Sequence, residues 1–254
     1  MANEGMPDGE NRQHGIDVTG IDAEEWAELM VNLEATIPVY DKVNTIVTLG
    51  QDARWRRHVQ SFATTGMDVL EVGCGPGTFS EGLVGVNLTC LDPSGEMLAV
   101  AKKRVNAARK ARKEEDAIYV EATAESIPLQ DNSFDRVFCL FSFRDFHDKK
   151  AGLTEILRVL KPGGRLVICD AGKGRFPHGL MGRIWMGTVV QLVARMITKD
   201  PNHPWKWLAK TYVHFGTIPQ YRKMMKEVGY ENVGGRLLFP FFMAGRLTGT
   251  KNTE

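Results

Sequence analysis

The run DVLEVGCGPGT, Asp68 to Thr78, decides the fold. Val69, Leu70 and Val72 form an apolar stretch of strand length, and it empties into a loop with glycine at 73, 75 and 77 before helix-forming sequence resumes. Glycine there permits a sharp turn and close approach of the backbone to a ligand, while the helix N-terminus that follows offers free N–H groups. Outward from this unit the same alternation recurs. Strands are expected at Asp68–Val72, Asn87–Leu91, Ile118–Glu121, Arg136–Leu140 and Arg165–Asp170, with helices at Phe79–Val84, Glu96–Lys110 and Lys150–Leu160. Lys161-Pro162-Gly163-Gly164 is expected to close the last helix and turn the chain into the next strand. Short apolar strands alternating with amphipathic helices predict an α/β domain with a mainly parallel sheet and helices on both faces.

Upstream, residues 1–20 are polar and glycine-rich and are expected to form a mobile leader. Residues 21–64 should hold N-terminal helices. Asp22 with Glu25 makes a capping-box pattern before Trp26, Leu29, Met30 and Leu33, which recur at helical spacing, and Pro38 ends that helix. In the second helical stretch, Tyr40, Val43, Ile46 and Val47 share a face. The core is expected over 65–172. Residues 173–216 break the alternation and read as an inserted helical cap built on one long helix, Met181–Ile197. Residues 217–254 should return to the core with a helix at Pro219–Val228 and two closing antiparallel strands, Gly235–Phe241 and Arg246–Lys251.

Composition narrows the classes. The 32 Lys and Arg nearly cancel the 31 Asp and Glu, so no global field draws the chain to nucleic acid. Lys102 to Lys113, KKRVNAARKARK, reads as the solvated face of one helix, since a nucleic-acid reader would interleave aromatics. The four cysteines, Cys74, Cys90, Cys139 and Cys169, show no metal-ligand spacing, which predicts a reducing cytoplasm and no metal. The N-terminus is too polar for a signal peptide, and no unbroken apolar run of the roughly 18 to 20 residues needed to span a bilayer is evident.

The glycine loop reads GxGxG, not GxGxxG, because Thr78 occupies the sixth position; Glu71 stands two places before the first glycine. A carboxylate beside the loop suits the ammonium and sulfonium of S-adenosylmethionine (SAM) and would repel a dinucleotide pyrophosphate. Asp92, about twenty residues on at the end of the second strand, can accept both ribose hydroxyls. The expected SAM-binding set is therefore Glu71, Gly73, Gly75, Gly77 and Asp92, joined by Pro93, Met97 and Leu140, with Thr123, Ala124 and Glu125 at the adenine edge and Ile127 packing on the ring.

VLEVGCGPG, LDPSGEML, AESIPLQDNSFD and RVLKPGGRLVI, in this order, resemble the successive motifs of class I SAM methyltransferases. YDKVNTIVTLGQDARWRRH, FSFRDFHDKKAGLTEILRVLKPGGRL and GRLTGTK narrow the resemblance to the ubiquinone/menaquinone biosynthesis C-methyltransferases. The resemblance implies a Rossmann-like fold with a seven-stranded sheet, SAM as cofactor, and methylation at carbon of a lipophilic aromatic such as a demethylmenaquinol. Two departures stand out. Ala122-Thr123-Ala124 replaces the family's Gly-Asp-Ala, and Ser142-Phe143-Arg144-Asp145 replaces Gly-Leu-Arg-Asn, so Phe143 is expected to crowd the floor of the site.

Carbon is a poor nucleophile, so the acceptor ring needs a base for a phenolic proton, a cation or donor for the phenolate, and a dry, aligned pocket. Arg144, at a strand's C-terminal end, is the candidate for the phenolate; His147 and Asp145 are candidate bases; Tyr40 reaches the same pocket if the N-terminal helices fold over it. His214 is a further base candidate from the cap. The cap helix GLMGRIWMGTVVQLVARMI, with Lys173, Arg175 and Lys199 flanking it, suits a lipophilic tail, a peripheral membrane contact through residues 173–199, or a homodimer contact. The scaffold also admits another small acceptor methylated at N, O or C, or SAM binding without turnover.

Overall fold

A computed structural model describes residues 23–170, 177–200, 203, 205–206, 215–239 and 244–253. The leader, Asp22, the side chain of Glu25, Lys173, Arg175 and His214 lie outside the described residues.

Seven strands form one sheet: β1 (Asp68–Val72), β2 (Asn87–Asp92), β3 (Ile118–Glu121), β4 (Phe134–Leu140), β5 (Leu160–Asp170), β6 (Glu231–Leu238) and β7 (Ala244–Thr250). Their order is β3-β2-β1-β4-β5-β7-β6. The first five pair in parallel, and β7 runs antiparallel to both β5 and β6. Period-two alternation splits the core between the two faces. Leu70, Val72, Val137, Cys139, Leu166 and Ile168 point to one side, where α5 (Lys149–Val159) and α8 (Ile218–Val228) bring Leu153, Ile156, Tyr221 and Met225. Val69, Phe138, Leu140, Val167 and Cys169 point to the other, against Trp55 and Val59 of α3 (Gln51–Gln60) and Leu98, Ala101 and Val105 of α4 (Gly95–Ala111). All four cysteines are buried thiols.

Helices α1 (Ala23–Glu34) and α2 (Tyr40–Val47) precede α3, with a short 3-10 turn at Ile37–Val39 between them. They are tied to the core by polar contacts. Ser94 Oγ donates to Glu34 Oε1 at 2.7 Å, and Arg104 spans Asp41 Oδ2 and Thr78 Oγ1 at 2.6 Å each.

Four expectations change. Phe79–Val84 holds only a 3-10 turn, Ser80–Gly82: Phe79 and Leu83 are drawn into the core, but Leu83 is already extended (φ −78°, ψ 123°) and Gly85 (φ +70°) turns the chain into β2 before an α-helix can form. Lys161–Gly164 is absorbed into β5, because Gly163 N–H donates to Lys251 O and Lys251 N–H to Gly164 O. The long cap helix breaks at Thr188 (φ −123°, ψ −70°) into α6 (His178–Gly187) and α7 (Val189–Thr198). Gly179–Thr198 is nevertheless 20 residues long and apolar enough by composition to span a bilayer, contrary to the sequence reading. In the fold its Val190 and Ala194 pack on Val43 and Val47 of α2, and Trp185 Nε1 donates to Val47 O.

The basic run is also less solvated than expected. Lys102, Lys103, Lys110 and Lys113 are exposed, whereas Arg109 is buried with Nη2 donating to Val86 O, and Arg112 reaches Glu81 O and Leu83 O. These arginines fasten α4 to the β1–β2 connection.

Candidate active site

Strand order reverses between β1 and β4, and a crevice opens at the carboxyl ends of such strands. Here it becomes a cleft partly open to solvent. Glu71, Gly73 and Gly75 line it from the end of β1 and its loop; Asp92, Pro93 and Met97 from the β2–α4 junction; Thr123, Ala124 and Glu125 from the loop after β3; and Leu140, Arg144 and Asp145 from the end of β4. Helices α1 to α3 close the other side with Trp26, Met30, Tyr40 and Arg56, so the N-terminal helices do fold over the cleft.

The glycine loop is built by contacts that single glycines permit. Gly73 has φ +72°, and a Cβ there would stand 2.4 Å from Ser142 Cβ, so the loops after β1 and β4 touch only because the side chain is missing. Ser142 Oγ completes this contact by donating to Val72 O at 2.8 Å. Gly75 has φ +53° and nothing near its Cβ position, so bare backbone faces the cleft. Gly77 lies outside the lining: its Cβ position is 2.8 Å from Val105 Cγ2, and it serves to seat α4 against the loop.

Asp92 fastens the loop from below, accepting from Gly75 N–H at 2.7 Å and Ser94 N–H at 3.0 Å. Burial pushes its carboxyl up to about 6 despite both donors. The cap of α4 is Ser94, whose hydroxyl accepts from Met97 N–H, which leaves Asp92 free of that role. Glu71 is fully buried and accepts from the Ser80 hydroxyl; burial raises its pKa well above the carboxylate range, with Ser80 and Arg56 pulling the other way. Glu125 Oε1 accepts from Asp148 N–H, joining the β3 and β4 loops.

At the opposite wall, Arg144 Nη1 and backbone N–H both donate to Asp170, at 2.6 and 2.9 Å, and Nη2 lies 3.3 Å from Asp145. Burial works against the guanidinium charge, but the two carboxylates outweigh it and raise its pKa. Burial likewise lifts the Asp145 carboxyl to about 6, with Arg144 opposing and Asp170 adding. Tyr40, facing Arg56 and Arg144, has its phenol pKa raised by burial against the pull of those two cations.

Three further expected positions fall elsewhere. His147 is exposed and outside the lining, because the 3-10 turn Phe143–Asp145 carries the chain back to the surface before α5. Ile127 is buried in the core beside α5 and does not reach the cleft. Phe143 does not crowd the floor; it packs edge-on against Phe146 and Tyr221 beneath it, and the phenylalanines that line the cleft are Phe141 and Phe146. Sequence reasoning missed Arg56, Asp170 and Phe141. Phe141 adopts φ +58°, a strained backbone for a bulky residue, at the mouth of β4.

The parallel sheet, its antiparallel β6–β7 close and the cleft at the switch point together define a class I SAM-dependent methyltransferase. A solved SAM-dependent methyltransferase from Thermotoga maritima shares this fold (TM-score 0.60, 20% identity, 86% of this chain and 98% of that one). So does a Haemonchus contortus phosphoethanolamine N-methyltransferase in complex with SAM (TM-score 0.56, 19% identity, 75% of this chain and 50% of that one). Residues 30–239 match the model of the ubiE/COQ5 methyltransferase family, and the chain belongs to that family. It is 32% identical over 216 residues to a demethylmenaquinone methyltransferase of Renibacterium salmoninarum (83% of this chain, 87% of that one). It is 29% identical over 239 residues to a ubiquinone/menaquinone biosynthesis C-methyltransferase of a Shewanella strain (90% and 93%). The chain is an enzyme, and SAM is its cofactor.

Proposed function

We propose that this enzyme moves the SAM methyl group to a ring carbon of a lipophilic aromatic acceptor of the prenylated quinol class, such as a demethylmenaquinol. The observation that carries the reading is one cleft lined by two unlike sets of residues. The glycine loop, Glu71 and Asp92 enter it from β1 and β2, Arg144 and Asp145 enter it from the end of β4 beside Tyr40, and Trp26, Met30, Phe141 and Phe146 complete the lining. The names of the relatives point to the same acceptor class.

The first set fits SAM. Bare backbone at Gly75 leaves room for the amino-acid portion, Asp92 is placed for the ribose, and Thr123, Ala124 and Glu125 border the adenine. SAM supplies an electrophilic methyl group on a sulfonium. The chain supplies the rest. Asp145, with a pKa of about 6, is ionised at neutral pH yet more basic than a surface carboxylate, and it is suited to take the acceptor's hydroxyl proton. Arg144, held on Asp170, fixes the phenolate that results, and the aromatic walls exclude water from the ring. No step asks for a metal.

We assign the cytoplasmic face of a membrane as the place of work, with α6 and α7 as the peripheral contact. Leu180 and Ile184 on α6, then Leu192 and Met196 on α7, form an interrupted exposed row, each pair at four-residue spacing, and no acidic residue occurs from Pro177 to Lys199. A homodimer through the same row is the competing arrangement.

Purified protein, SAM carrying an isotope-labelled methyl and a reduced demethylmenaquinone analogue should yield a product with the label on a ring carbon, read by mass spectrometry. Arg144→Ala should cut turnover by about a hundredfold or more while SAM affinity holds. Label on oxygen, or none, would reject the C-methylation reading.

A further inference from the structure

Among the described residues two guanidinium groups line the cleft, and the chain treats them differently. Arg144 is held in place by Asp170 and Asp145. Arg56, on α3, is only 7% exposed, and its Nε and Nη2 are buried with no hydrogen-bond partner. The carboxylate it approaches, Asp52, stands 4.0 Å from Nε and is shared with the hydroxyls of Thr45 and Thr48. The guanidinium carbon sits 5.4 Å from the centroid of the Phe141 ring, which fixes the side chain over the residue with the strained backbone. A buried cation with unmade hydrogen bonds is costly, and an anion delivered by a ligand relieves that cost.

The ligand's own charges identify the anion. SAM has one anionic group, its α-carboxylate, and it must enter a cleft whose loop side is lined by Glu71 and Asp92. Of the two guanidinium cations, Arg144 is already hydrogen-bonded to Asp170 and paired with Asp145, whereas Arg56 keeps two guanidinium nitrogens without a partner. Arg56 stacks on Phe141 and bears on both Glu71 and Tyr40, so it stands between the glycine loop and the Arg144 wall. We propose that Arg56 is the binding residue for the α-carboxylate of SAM, a planar fork on a planar carboxylate, and that it sets the preference for SAM over analogues without that group. This rests on the assignment of the loop side to SAM.

The test compares SAM with decarboxylated SAM, which keeps the adenosine, sulfonium and amine, by titration calorimetry. The unsubstituted enzyme should bind SAM about 10- to 100-fold more tightly, the range expected of hydrogen bonds to a charged group. Arg56→Met should bind the two alike, and Arg56→Lys, which keeps the charge without the fork, should show an intermediate ratio. Thermal melts of both variants separate this from misfolding, and the Lys variant carries the test if the Met variant does not fold. An unchanged ratio in the variants would overturn the proposal. So would an unchanged ratio with a raised acceptor KM, which would give Arg56 to the acceptor. If the unsubstituted enzyme binds neither ligand, the cofactor assignment of the loop side fails, and this inference with it.

Discussion

Asp92, buried, and Asp145, partly buried, are carboxylates raised to about 6, and each has a different use for its ionised form. Asp92 accepts from Gly75 and Ser94 on the protein side, so a ribose can be held only by what remains of its acceptor capacity, and only while it is charged. In the free enzyme the charged fraction grows as pH rises through 6. Lowering pH from 7.5 to 5 should therefore weaken SAM binding by about tenfold, and Asp92→Asn should bind SAM weakly with a flat profile; calorimetry across pH decides it. Asp145 predicts the acid limb of turnover. With the base needed deprotonated, kcat at saturating SAM should fall below pH 6, and Asp145→Asn should both lower it and abolish that limb. Glu71, Gly73, Gly75, Asp92 and Arg144 were legible in the sequence because each sits at a fixed offset from a strand end. Arg56 carries no such offset, and Asp170, although it ends β5, declares no role until Arg144 is seen against it. Their meaning depends on where α3 and β5 come to rest, and on which charges they meet there.

At the scale of elements, the strands were legible because alternating burial writes a period of two, and the sheet sorts residues such as Val137 and Phe138 onto opposite cores accordingly. Helices seated by single contacts were harder to read. The segment after the glycine loop looks helical, yet it is pinned by Ser80 on Glu71 and by Gln60 Nε2 on Phe79 O, contacts from residues distant in sequence. Gly77 expresses the same economy. Its φ of +79° and the Cβ position 2.8 Å from Val105 and 3.0 Å from Ala101 mean that a methyl group there strains the loop and lifts α4 together. Gly77→Ala should cost about 1–3 kcal/mol, measured by chemical denaturation. Gly75→Ala meets no neighbour and should cost less stability while weakening SAM binding, since its Cβ would enter the cleft.

On the scale of the molecule, the N-terminal helices and the cap segment form a second layer of their own. Val43 and Val47 of α2 pack with Val190, Ala194 and Trp205, and Phe215, at the edge of that segment, returns to place its ring 5.8 Å from the Arg144 guanidinium carbon. That layer was the least legible part, because a helix with apolar residues on most sides does not declare which side meets protein. The structure divides it: Val190 and Ala194 turn inward, and Leu192 (61% exposed) and Met196 (70%) turn outward beside Arg195 and Lys199. An apolar ridge edged by cations and bare of carboxylates is the arrangement that anionic lipid favours, and a prenylated acceptor dissolved in that lipid would then reach a cleft whose roof shares α2 with the ridge. Co-sedimentation should find the protein with vesicles containing phosphatidylglycerol and not with neutral ones. A Leu192→Glu, Met196→Glu double variant should stay in the supernatant while methylating a water-soluble short-chain quinol at the unsubstituted rate. If the variant instead changes the sedimentation-velocity mass from dimer to monomer and leaves vesicle binding intact, the ridge is a subunit contact and the membrane role belongs elsewhere on the surface.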